Sequence, residues 1–394
     1  MEILIDSDVL LEGLTRVKPI VSSKGLVPIL NCFVLEAREK EFSISASSDD
    51  LTISWTVGED AEYVEKQKKP STKESSEEGS EENTESIRKD VLKIKEEGRV
   101  ATLASRFHEI VSKLGGSYKV SLKTDEDQNL IVTCENADAK ATLTHDAAAD
   151  IDDFPKIEIP DVEEVNLPED FVPMLKLAQV AICEIESRFD LKGLHFKIDS
   201  GHLSLTSCDN KKICRVTGEI ENSKLKDEFF LSRDSIRELI RMRPTSFLIG
   251  PKNHLTFKNI TTTLTVQLLK NDFPDLDKYV KLGEQSSNVV EVDRKSLKDA
   301  IDWVSILSES FDSRIDFEIA DQRMTLFSEL NTSKTKRKIK VNSPIEKDFA
   351  CNPDYFLDFL NAIDDKKVEF FFNDEVNKIF FKRPRTTFIV TPKK

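Results

Sequence analysis

The sequence repeats one order of secondary-structure elements three times. In each repeat an amphipathic helix is followed by two β-prone runs, a second amphipathic helix and two further β-prone runs. The first helices follow Asp6, Asp170 and Asp293, a residue type that caps helix N-termini. The second helices are predicted over residues 103–114, 232–242 and 353–363. This plan predicts an α+β fold built from three similar units.

The β-prone runs alternate apolar and polar residues, which is the pattern of a half-buried strand. After the first helices they cover 29–37 and 42–57, 194–199 and 202–216, and 315–320 and 324–341. After the second helices they cover 118–124 and 130–144, 247–249 and 255–269, and 368–372 and 378–391. We expect antiparallel sheets, whose exposed edges must be covered or paired. Joining the units edge to edge and closing them into a ring is one economical solution.

The charge balance of the chain is acidic. Its 394 residues include 57 Lys+Arg and 72 Asp+Glu, a formal net charge of −15. Nonspecific affinity for nucleic acid comes from cations that neutralise phosphates. The acidic net charge therefore disfavours a nucleic-acid partner unless the basic residues are gathered on one face of the protein. No apolar run approaches the roughly 20 residues of a membrane span, and the N-terminus lacks the features of a signal peptide. The sequence therefore predicts a cytoplasmic protein without a membrane partner.

One segment departs from the globular pattern. Residues 65–90 contain almost no apolar side chains and are rich in Glu, Ser and Lys. Such a composition cannot offset the entropy of ordering, so we predict a mobile acidic surface loop. A solvated insertion without a function of its own is the favoured interpretation.

The reactive residue types form no catalytic motif. The cysteines include no CxxC pair and the histidines no HExxH spacing, which indicates reduced, structural thiols. A metal site assembled from Cys208, Cys214 and a distant histidine is a minor alternative. GxSxG and GxxxxGK[ST] motifs are absent, and only 12 glycines are available for phosphate-binding loops. The sequence therefore argues against a β-rich hydrolase or metal enzyme and predicts no cofactor.

Several short motifs occur in one order along nearly the whole chain. They are LLEGLTRVKPIVSSKGLVPIL at 10–30, SSDDLTI at 47–53, SRFDLKGLHF at 187–196, FPDLDKY at 273–279, ILS at 306–308, YFLDFLNA at 355–362 and IVTP at 389–392. Together with the threefold plan, these motifs resemble the bacterial sliding clamps, the beta subunits of DNA polymerase III.

The resemblance implies the DNA clamp fold, with domains at 1–156, 157–283 and 284–394. Antiparallel sheets would lie outside and helices would line a central channel, in a head-to-tail dimeric ring. Such a ring encircles duplex DNA without sequence specificity and tethers the replicative polymerase and other replication or repair proteins, which confers processivity. The implied partners are double-stranded DNA, the polymerase III catalytic subunit, the clamp loader complex, other proteins with a clamp-binding motif and a second copy of the chain. No enzymatic activity is implied.

Basic residues occur on the helices that the resemblance places around the channel. These helices and the adjacent turns carry Arg16, Lys18, Lys24, Arg106, Lys113, Lys176, Arg233, Arg237, Arg241, Arg243, Lys295 and Lys298. The DNA-binding candidates among them are Lys24, Arg16, Arg106, Arg233, Arg237 and Arg241. The last three recur at every fourth position and share one helix stripe, and Lys24 matches a basic DNA-contacting position of the family. A solvated helix face is the alternative for each residue taken alone.

The resemblance also implies an apolar groove between the second and third domains that binds short peptides of polymerases and the clamp loader. The matching positions are Cys208, Lys212, Ile213, Pro274, Tyr279, Ile389, Val390 and Pro392. This chain has CDNKKI at 208–213, where the family usually has TDGHRL, and ends in TPKK rather than a more apolar tail. These departures leave the peptide preference open. Ordinary core and domain-junction packing is the alternative for these residues.

The resemblance assigns ring closure to two small sets of apolar residues. Ile306 and Leu307 would meet Ala141 and Leu143 of the partner copy. Family members often carry a larger aromatic residue at the position of Ala141, and a smaller side chain buries less apolar area, at roughly 25 cal/mol per Å². We therefore expect a weaker dimer than is usual. A diverged clamp-fold interaction protein that does not load on DNA is the alternative function.

Overall fold

The computed structural model describes residues 1–22, 27–61, 63–65, 86–88, 90–115, 118–155, 162, 164–184, 188–221, 224–251, 253–270, 273–283, 288–308, 313–330 and 332–393. Residues 63–65, 86–88, 135 and 189 are described by their backbone alone. The chain divides into two compact units. Unit 1 comprises Met1–Val162 and Leu248–Gln267, and unit 2 comprises Glu163–Phe247 and Leu268–Lys394.

The first part of the chain starts with a strand that leads directly into a helix. Its elements are β1 (Glu2–Asp6), α1 (Ser7–Val17), β2 (Cys32–Arg38), β3 (Glu41–Ser47), β4 (Leu51–Gly58), β5 (Tyr63–Glu65), β6 (Ser86–Arg88), β7 (Leu92–Glu96), β8 (Gly98–Leu103), α2 (Ala104–Leu114), β9 (Lys119–Thr124), β10 (Leu130–Cys134) and β11 (Ala139–Leu143).

The same basic order returns twice in the rest of the chain, without counterparts of β5, β6 and β7 and with an additional short helix, α5, at the end of the second set. The second set is β12 (Val165–Asn166), α3 (Phe171–Ala178), β13 (Gly193–Asp199), β14 (His202–Cys208), β15 (Lys212–Glu219), β16 (Lys226–Ser232), α4 (Arg233–Met242), β17 (Ser246–Gly250), β18 (His254–Lys258), β19 (Thr262–Gln267) and α5 (Asp277–Leu282). The third set is β20 (Val290–Asp293), α6 (Arg294–Val304), β21 (Ile315–Ala320), β22 (Arg323–Leu330), β23 (Ser333–Asn342), β24 (Lys347–Cys351), α7 (Pro353–Ala362), β25 (Lys367–Asn373), β26 (Lys378–Arg383) and β27 (Thr386–Val390).

Both units are built on antiparallel sheets. Unit 1 contains the strand orders β11-β10-β9-β1-β7 and β18-β19-β4-β3-β2-β8. Unit 2 contains the order β16-β13-β14-β15-β27-β26-β25-β20-β23-β22-β21-β24. In unit 2 the pairing of β15 with β27 runs from Lys212 opposite Val390 to Val216 opposite Thr386, and it joins the sheet of the second set to that of the third.

The helices pack in pairs within their units. α1 packs against α2, α3 against α4, and α6 against α7. Large aromatic side chains fill the space beneath them, and Phe359 stacks on Phe388 with ring centroids 4.5 Å apart. Gly13 lets α1 approach the sheet closely, because a Cβ at this position would lie 2.3 Å from the ring of Trp55. This close packing fixes the position of each helix on its sheet.

The predicted helices are confirmed to within one residue, but their capping differs. Ser232 and Asp293 accept hydrogen bonds from the backbone N–H groups of Ser235 and Ser296, as helix caps do. The predicted caps Asp6 and Asp170 make no side-chain capping bond. Asp6 instead pairs with Lys119 at 2.7 Å.

The strand predictions need two corrections. The longer run of each predicted pair forms two strands that are joined by a tight turn. The run 202–216, for example, forms β14 and β15, which are joined by residues 209–211. Turn residues at these positions include Asn210, whose φ of 73° is left-handed. The strands that precede the helices, such as β1, β16 and β20, are not among the predicted runs, because each is short and leads directly into a helix.

The predicted acidic loop at 65–90 lies largely outside the described residues. Its described flanks, β5 and β6, pair with each other from Tyr63 opposite Arg88 to Glu65 opposite Ser86. The boundaries 1–156, 157–283 and 284–394 remain a prediction, since the compact units divide the chain differently. Within the part of the chain that the structure describes, no helix is long and apolar enough to cross a membrane.

Candidate functional sites: an apolar pocket and the basic helices

Five of the predicted pocket residues line one cavity in unit 2. The cavity has a volume of about 230 Å³, and Cys208, Ile213, Pro274, Tyr279 and Ile389 are among its walls. Cys208 lies opposite Ile213 in the pairing of β14 with β15, and Ile213 lies opposite Ile389 in the pairing of β15 with β27. Directly opposite residues point to the same face of a sheet, so the three side chains form a continuous row.

The floor of this pocket is apolar. Ile213, Ile389 and Cys208 pack with the buried side chains of Cys183, Leu191, Leu276, Phe371 and Phe380. Pro274 and Tyr279 lie in the segment around the start of α5 and form part of the wall. Burial raises the pKa of the Cys208 thiol, so this side chain stays neutral at pH 7. The floor can therefore accept an apolar side chain.

The rim of the pocket is cationic. Arg188, Lys211 and Lys378 all line it. Two nitrogens of Arg188 donate to the carboxylate of Asp190 at 3.0 and 2.8 Å, and a third donates to Asn210 at 2.7 Å. The Nζ of Lys378 donates to the hydroxyl of Thr391 at 2.5 Å. Burial, and the nearby charge of Lys211, lower the pKa of Lys378. An occupant with a negative charge beside an apolar end would match this rim.

Three predicted pocket residues lie elsewhere. The Nζ of Lys212 donates to Asp358 at 2.6 Å, and this lysine lines a neighbouring recess of about 730 Å³ that also contains Tyr355. Val390 is fully buried, and strand alternation turns it away from the face that carries Ile389. Pro392 is half-buried and does not line the cavity. Packing within the unit explains Val390 better than a role in the pocket does.

The structure adds pocket residues that the sequence did not single out. They are Arg188, Leu191, Asn210, Lys211, Leu276, Lys378 and Thr391. Arg188 and Leu191 fall inside the SRFDLKGLHF motif, Leu276 inside FPDLDKY and Thr391 inside IVTP, so the motifs contained a signal for these four. Asn210 and Lys211 fall inside the CDNKKI segment. Lys378 carried no such signal, because a lysine in an alternating strand is usually solvated.

The second candidate site is the basic stripe of α4 in unit 2. The helix buries Ile236, Leu239 and Met242, and Arg233, Arg237 and Arg241 are exposed. Each arginine bonds a carboxylate. Arg233 pairs with Glu184 at 2.7 Å, Arg237 with Asp234 at 2.8 Å, and Arg241 with Glu238 at 2.8 Å.

The DNA-binding candidates in unit 1 differ in whether they form an ion pair. Arg16 donates to Glu12 on α1 at 2.8 and 3.1 Å. Arg106 on α2 is exposed and has no ion pair among the described residues. Lys18 lies 3.1 Å from Nδ1 of His108, and burial together with the charge of Lys18 lowers the pKa of that histidine. Lys24 falls outside the described residues.

The minor alternative of a metal site at Cys208 and Cys214 does not fit the sheet. Cys208 lies opposite Ile213, whereas Cys214 lies opposite Ser207, so the two thiols are on opposite faces. The thiol of Cys214 is buried and donates to the carbonyl of Leu177 at 3.3 Å. No group of three potential metal-binding side chains occurs in the described ranges.

Two family models match this chain. The model of the DNA polymerase III beta subunit N-terminal domain matches residues 1–158, and that of the C-terminal domain matches residues 282–389. Together they cover more than half of the chain, in the order of the family. The chain belongs to the DNA polymerase III beta subunit family. This family consists of sliding clamps, which are processivity factors and not enzymes.

Similar proteins cover the whole length of this clamp. The beta sliding clamp of Staphylococcus aureus strain Mu50 is 23% identical over 405 residues, which cover 100% of this chain and 96% of that protein. The beta sliding clamp of Haemophilus influenzae is 22% identical and covers 95% of this chain and 93% of its own. The crystal structure of the DNA polymerase sliding clamp from Bacillus subtilis has a TM-score of 0.84 at 19% identity and covers 100% and 99% of the two chains. The clamp fold predicted from the sequence is therefore confirmed.

The ring-closure candidates of this clamp lie on an edge strand of unit 1 and after a helix of unit 2. Ala141 and Leu143 belong to β11, the edge strand of its sheet in unit 1; Ala141 is half-buried and Leu143 is buried. Ile306 and Leu307 form a 3-10 turn directly after α6 in unit 2, where Ile306 is 70% exposed.

Trp303 extends this apolar surface of the clamp. It is 55% exposed and precedes Ile306 by three residues. The sequence contained a signal for it, because Leu297, Ala300, Ile301 and Val304 define the buried face of α6 and leave Trp303 outside that face. A large aromatic residue exposed beside Ile306 is typical of a surface that another protein covers.

Proposed function

We propose that two copies of this clamp close into a ring around duplex DNA and tether the replicative polymerase, which makes DNA synthesis processive. The observation that carries this proposal is that unit 2 combines a cation-rimmed apolar pocket with an exposed stripe of arginines on α4. The pocket would hold a partner, and the stripe would face DNA. Membership of a family of cytoplasmic replication factors supports a cytoplasmic location.

The arginine stripe suits loose and nonspecific contact with DNA. Guanidinium groups neutralise phosphates, and phosphate contacts carry no sequence information. A closed ring stays on DNA because of its topology, so individual contacts need contribute little. A net charge of −15 is compatible with this role, since the proposed DNA-binding cations belong to the channel helices and their adjacent turns.

The pocket suits the end of a short peptide. Its volume of about 230 Å³ accommodates one or two apolar side chains, and its rim offers cations to an acidic neighbour. We propose that the clamp-binding peptides of the polymerase III catalytic subunit, the clamp loader complex and other partner proteins bind here. Cys208, Ile213, Pro274, Tyr279 and Ile389 would contact the peptide.

Ring closure would use the free edges of the sheets. β11 pairs only with β10 within the described residues, and residues 333–340 of β23 pair only with β22 there. The exposed Trp303 and Ile306 lie next to the end of α6, whose residues contact β23. We propose that this apolar surface meets Ala141 of the partner copy, and that the chain has three clamp domains at 1–156, 157–283 and 284–394.

Loading onto closed circular DNA tests the proposal. A labelled clamp, incubated with a clamp loader and nicked circular DNA, should co-elute with the DNA and be released when the circle is cut, because only a ring is held topologically. In solution the mass should be near twice 44.8 kDa. The variant Ile306→Ala with Leu307→Asp should be monomeric and should not be retained.

Two results would count against this function. A folded wild-type protein that stays monomeric at tens of micromolar would exclude the ring. A dimer that binds partner peptides but is never retained on circular DNA would favour the alternative, a diverged clamp-fold protein that does not load.

A further inference from the structure

The arginines of α4 are not free cations. Arg233 bonds Glu184, and Arg237 and Arg241 each bond an acid three residues earlier on the same helix, Asp234 and Glu238. Five other basic residues near the proposed channel have no ion pair among the described residues. They are Arg106, Lys176, Arg243, Lys295 and Lys298. Arg16 on α1 and Lys113 on α2 also pair with an acid of their own helix, Glu12 and Glu109. What sets α4 apart is that every arginine of its stripe is paired.

The three pairs differ in how easily they open. Arg237 and Asp234 have exposed fractions of 59% and 74%, and Arg233 and Glu184 of 49% and 74%. Glu238 is only 9% exposed and holds Arg241 through both carboxylate oxygens, at 2.8 and 2.9 Å. Exposed pairs contribute little free energy and exchange readily, whereas a bond to a buried carboxylate is held by the surrounding packing.

We infer that Asp234 and Glu184 compete with DNA phosphates for Arg237 and Arg233, and so weaken the hold of the ring on DNA, while Glu238 keeps Arg241 out of DNA contact. This inference rests on the proposed function. A phosphate that approaches Arg237 must first replace a carboxylate, and it also meets the repulsion of that carboxylate. Asp234 and Glu184 thereby reduce how strongly the channel holds DNA.

The variant Asp234→Asn tests the competition directly. It removes the carboxylate but keeps the side-chain shape, and it should tighten binding of a short duplex by about two- to fivefold at low salt, the range of an exposed ion pair. The slope of log affinity against log salt should steepen by about one phosphate contact, roughly 0.9. Fluorescence anisotropy of a labelled duplex with the full-length dimer measures both.

Asp302→Asn is the matched control. Asp302 lies on α6, is exposed, and its carboxylate has no ion pair in the described part of the chain. The control changes the net charge equally but frees no arginine, so it should tighten binding less than Asp234→Asn does. In an Arg237→Gln background the effect of Asp234→Asn should fall to that of the control, because no arginine remains to be freed.

The possible failures can be told apart. If Arg237→Gln leaves duplex binding unchanged, α4 does not face DNA and the proposed DNA site is wrong. If Arg237→Gln weakens binding but Asp234→Asn and Asp302→Asn have equal effects in both backgrounds, α4 binds DNA and the competition is absent. Arg241→Gln should change binding less than Arg237→Gln; a larger loss would overturn the role given to Glu238.

Discussion

The pocket and the α4 stripe are two proposed binding surfaces of unit 2 that would act by different physics. In the pocket a few buried side chains, such as Ile213 and Ile389, meet across paired strands and leave an apolar cavity. On α4 exposed arginines act through charge, and each is already paired with a carboxylate. We therefore expect single substitutions in the pocket to have large effects that depend little on salt. Substitutions on α4 should have small effects that depend strongly on salt.

The largest effect is expected from Ile389→Asp. The new carboxylate would be buried in the apolar floor of the pocket, so binding of a polymerase tail peptide should weaken by about 100-fold or more, on the order of 3 kcal/mol. Fluorescence titration with a labelled peptide measures this, and wild-type binding is expected at micromolar strength, about −8 kcal/mol.

Two further variants control the interpretation of Ile389→Asp. Thr387→Asp adds the same charge two residues earlier on β27, outside the pocket lining, and should bind peptide normally. Tyr279→Ala removes a half-exposed wall residue with little risk to folding and should weaken peptide binding by about tenfold. Unchanged affinity in both Ile389→Asp and Tyr279→Ala would place the partner site elsewhere.

Charge reversal on α4 should have the next largest effect. The double variant Arg233→Glu with Arg237→Glu is expected to weaken duplex binding by about tenfold at low salt. The slope of log affinity against log salt should become shallower by roughly 1.8, which corresponds to the loss of two phosphate contacts. The free energy of unfolding should change little, because both side chains are exposed. Peptide binding should be unchanged, and a parallel loss would mean that the two surfaces are not independent. Adding Lys24→Glu should weaken loading further.

Peptide binding should respond to pH through Lys378. Burial lowers the pKa of this lysine, so it loses its charge at a lower pH than an ordinary lysine does. Affinity for a peptide with an acidic residue should therefore fall as the pH rises above neutrality. Lys378→Gln should bind more weakly at pH 7 and should lose this pH dependence. A neutral peptide should show the same affinity across the range.

The smallest effect is expected on β23. Lys336, Lys338 and Lys340 are exposed and have no ion pair among the described residues. Alternation places them on the face opposite to Arg337, which donates to a carbonyl of α6. If α6 lines the channel, these lysines point away from DNA, and Lys336→Gln with Lys338→Gln should change duplex binding by less than about twofold at 0.15 M salt. A larger loss in a variant whose dimer mass is unchanged would show that charge alone, and not its position, governs the contact with DNA.

The helices and the repeat followed from the sequence because both depend on local spacing. Apolar residues three and four apart predicted α4 and α7 to within one residue, and the order of elements predicted an α+β repeat. The motifs then indicated the clamp family, and five of the eight pocket candidates line one cavity. These features can be recognised in the sequence because a helix face, or a short motif, is formed by residues that are close together along the chain.

Tertiary structure decided which of these residues can act. Val390 and Ile389 are neighbours in a matching motif, yet only Ile389 reaches the pocket, because successive strand residues point to opposite faces. Lys378 enters the rim only through the pairing of β26 with β27. Glu184 reaches Arg233 across 49 positions of sequence. Strand register and long-range ion pairs join residues that are distant along the chain, and the local pattern of a sequence contains no record of such contacts.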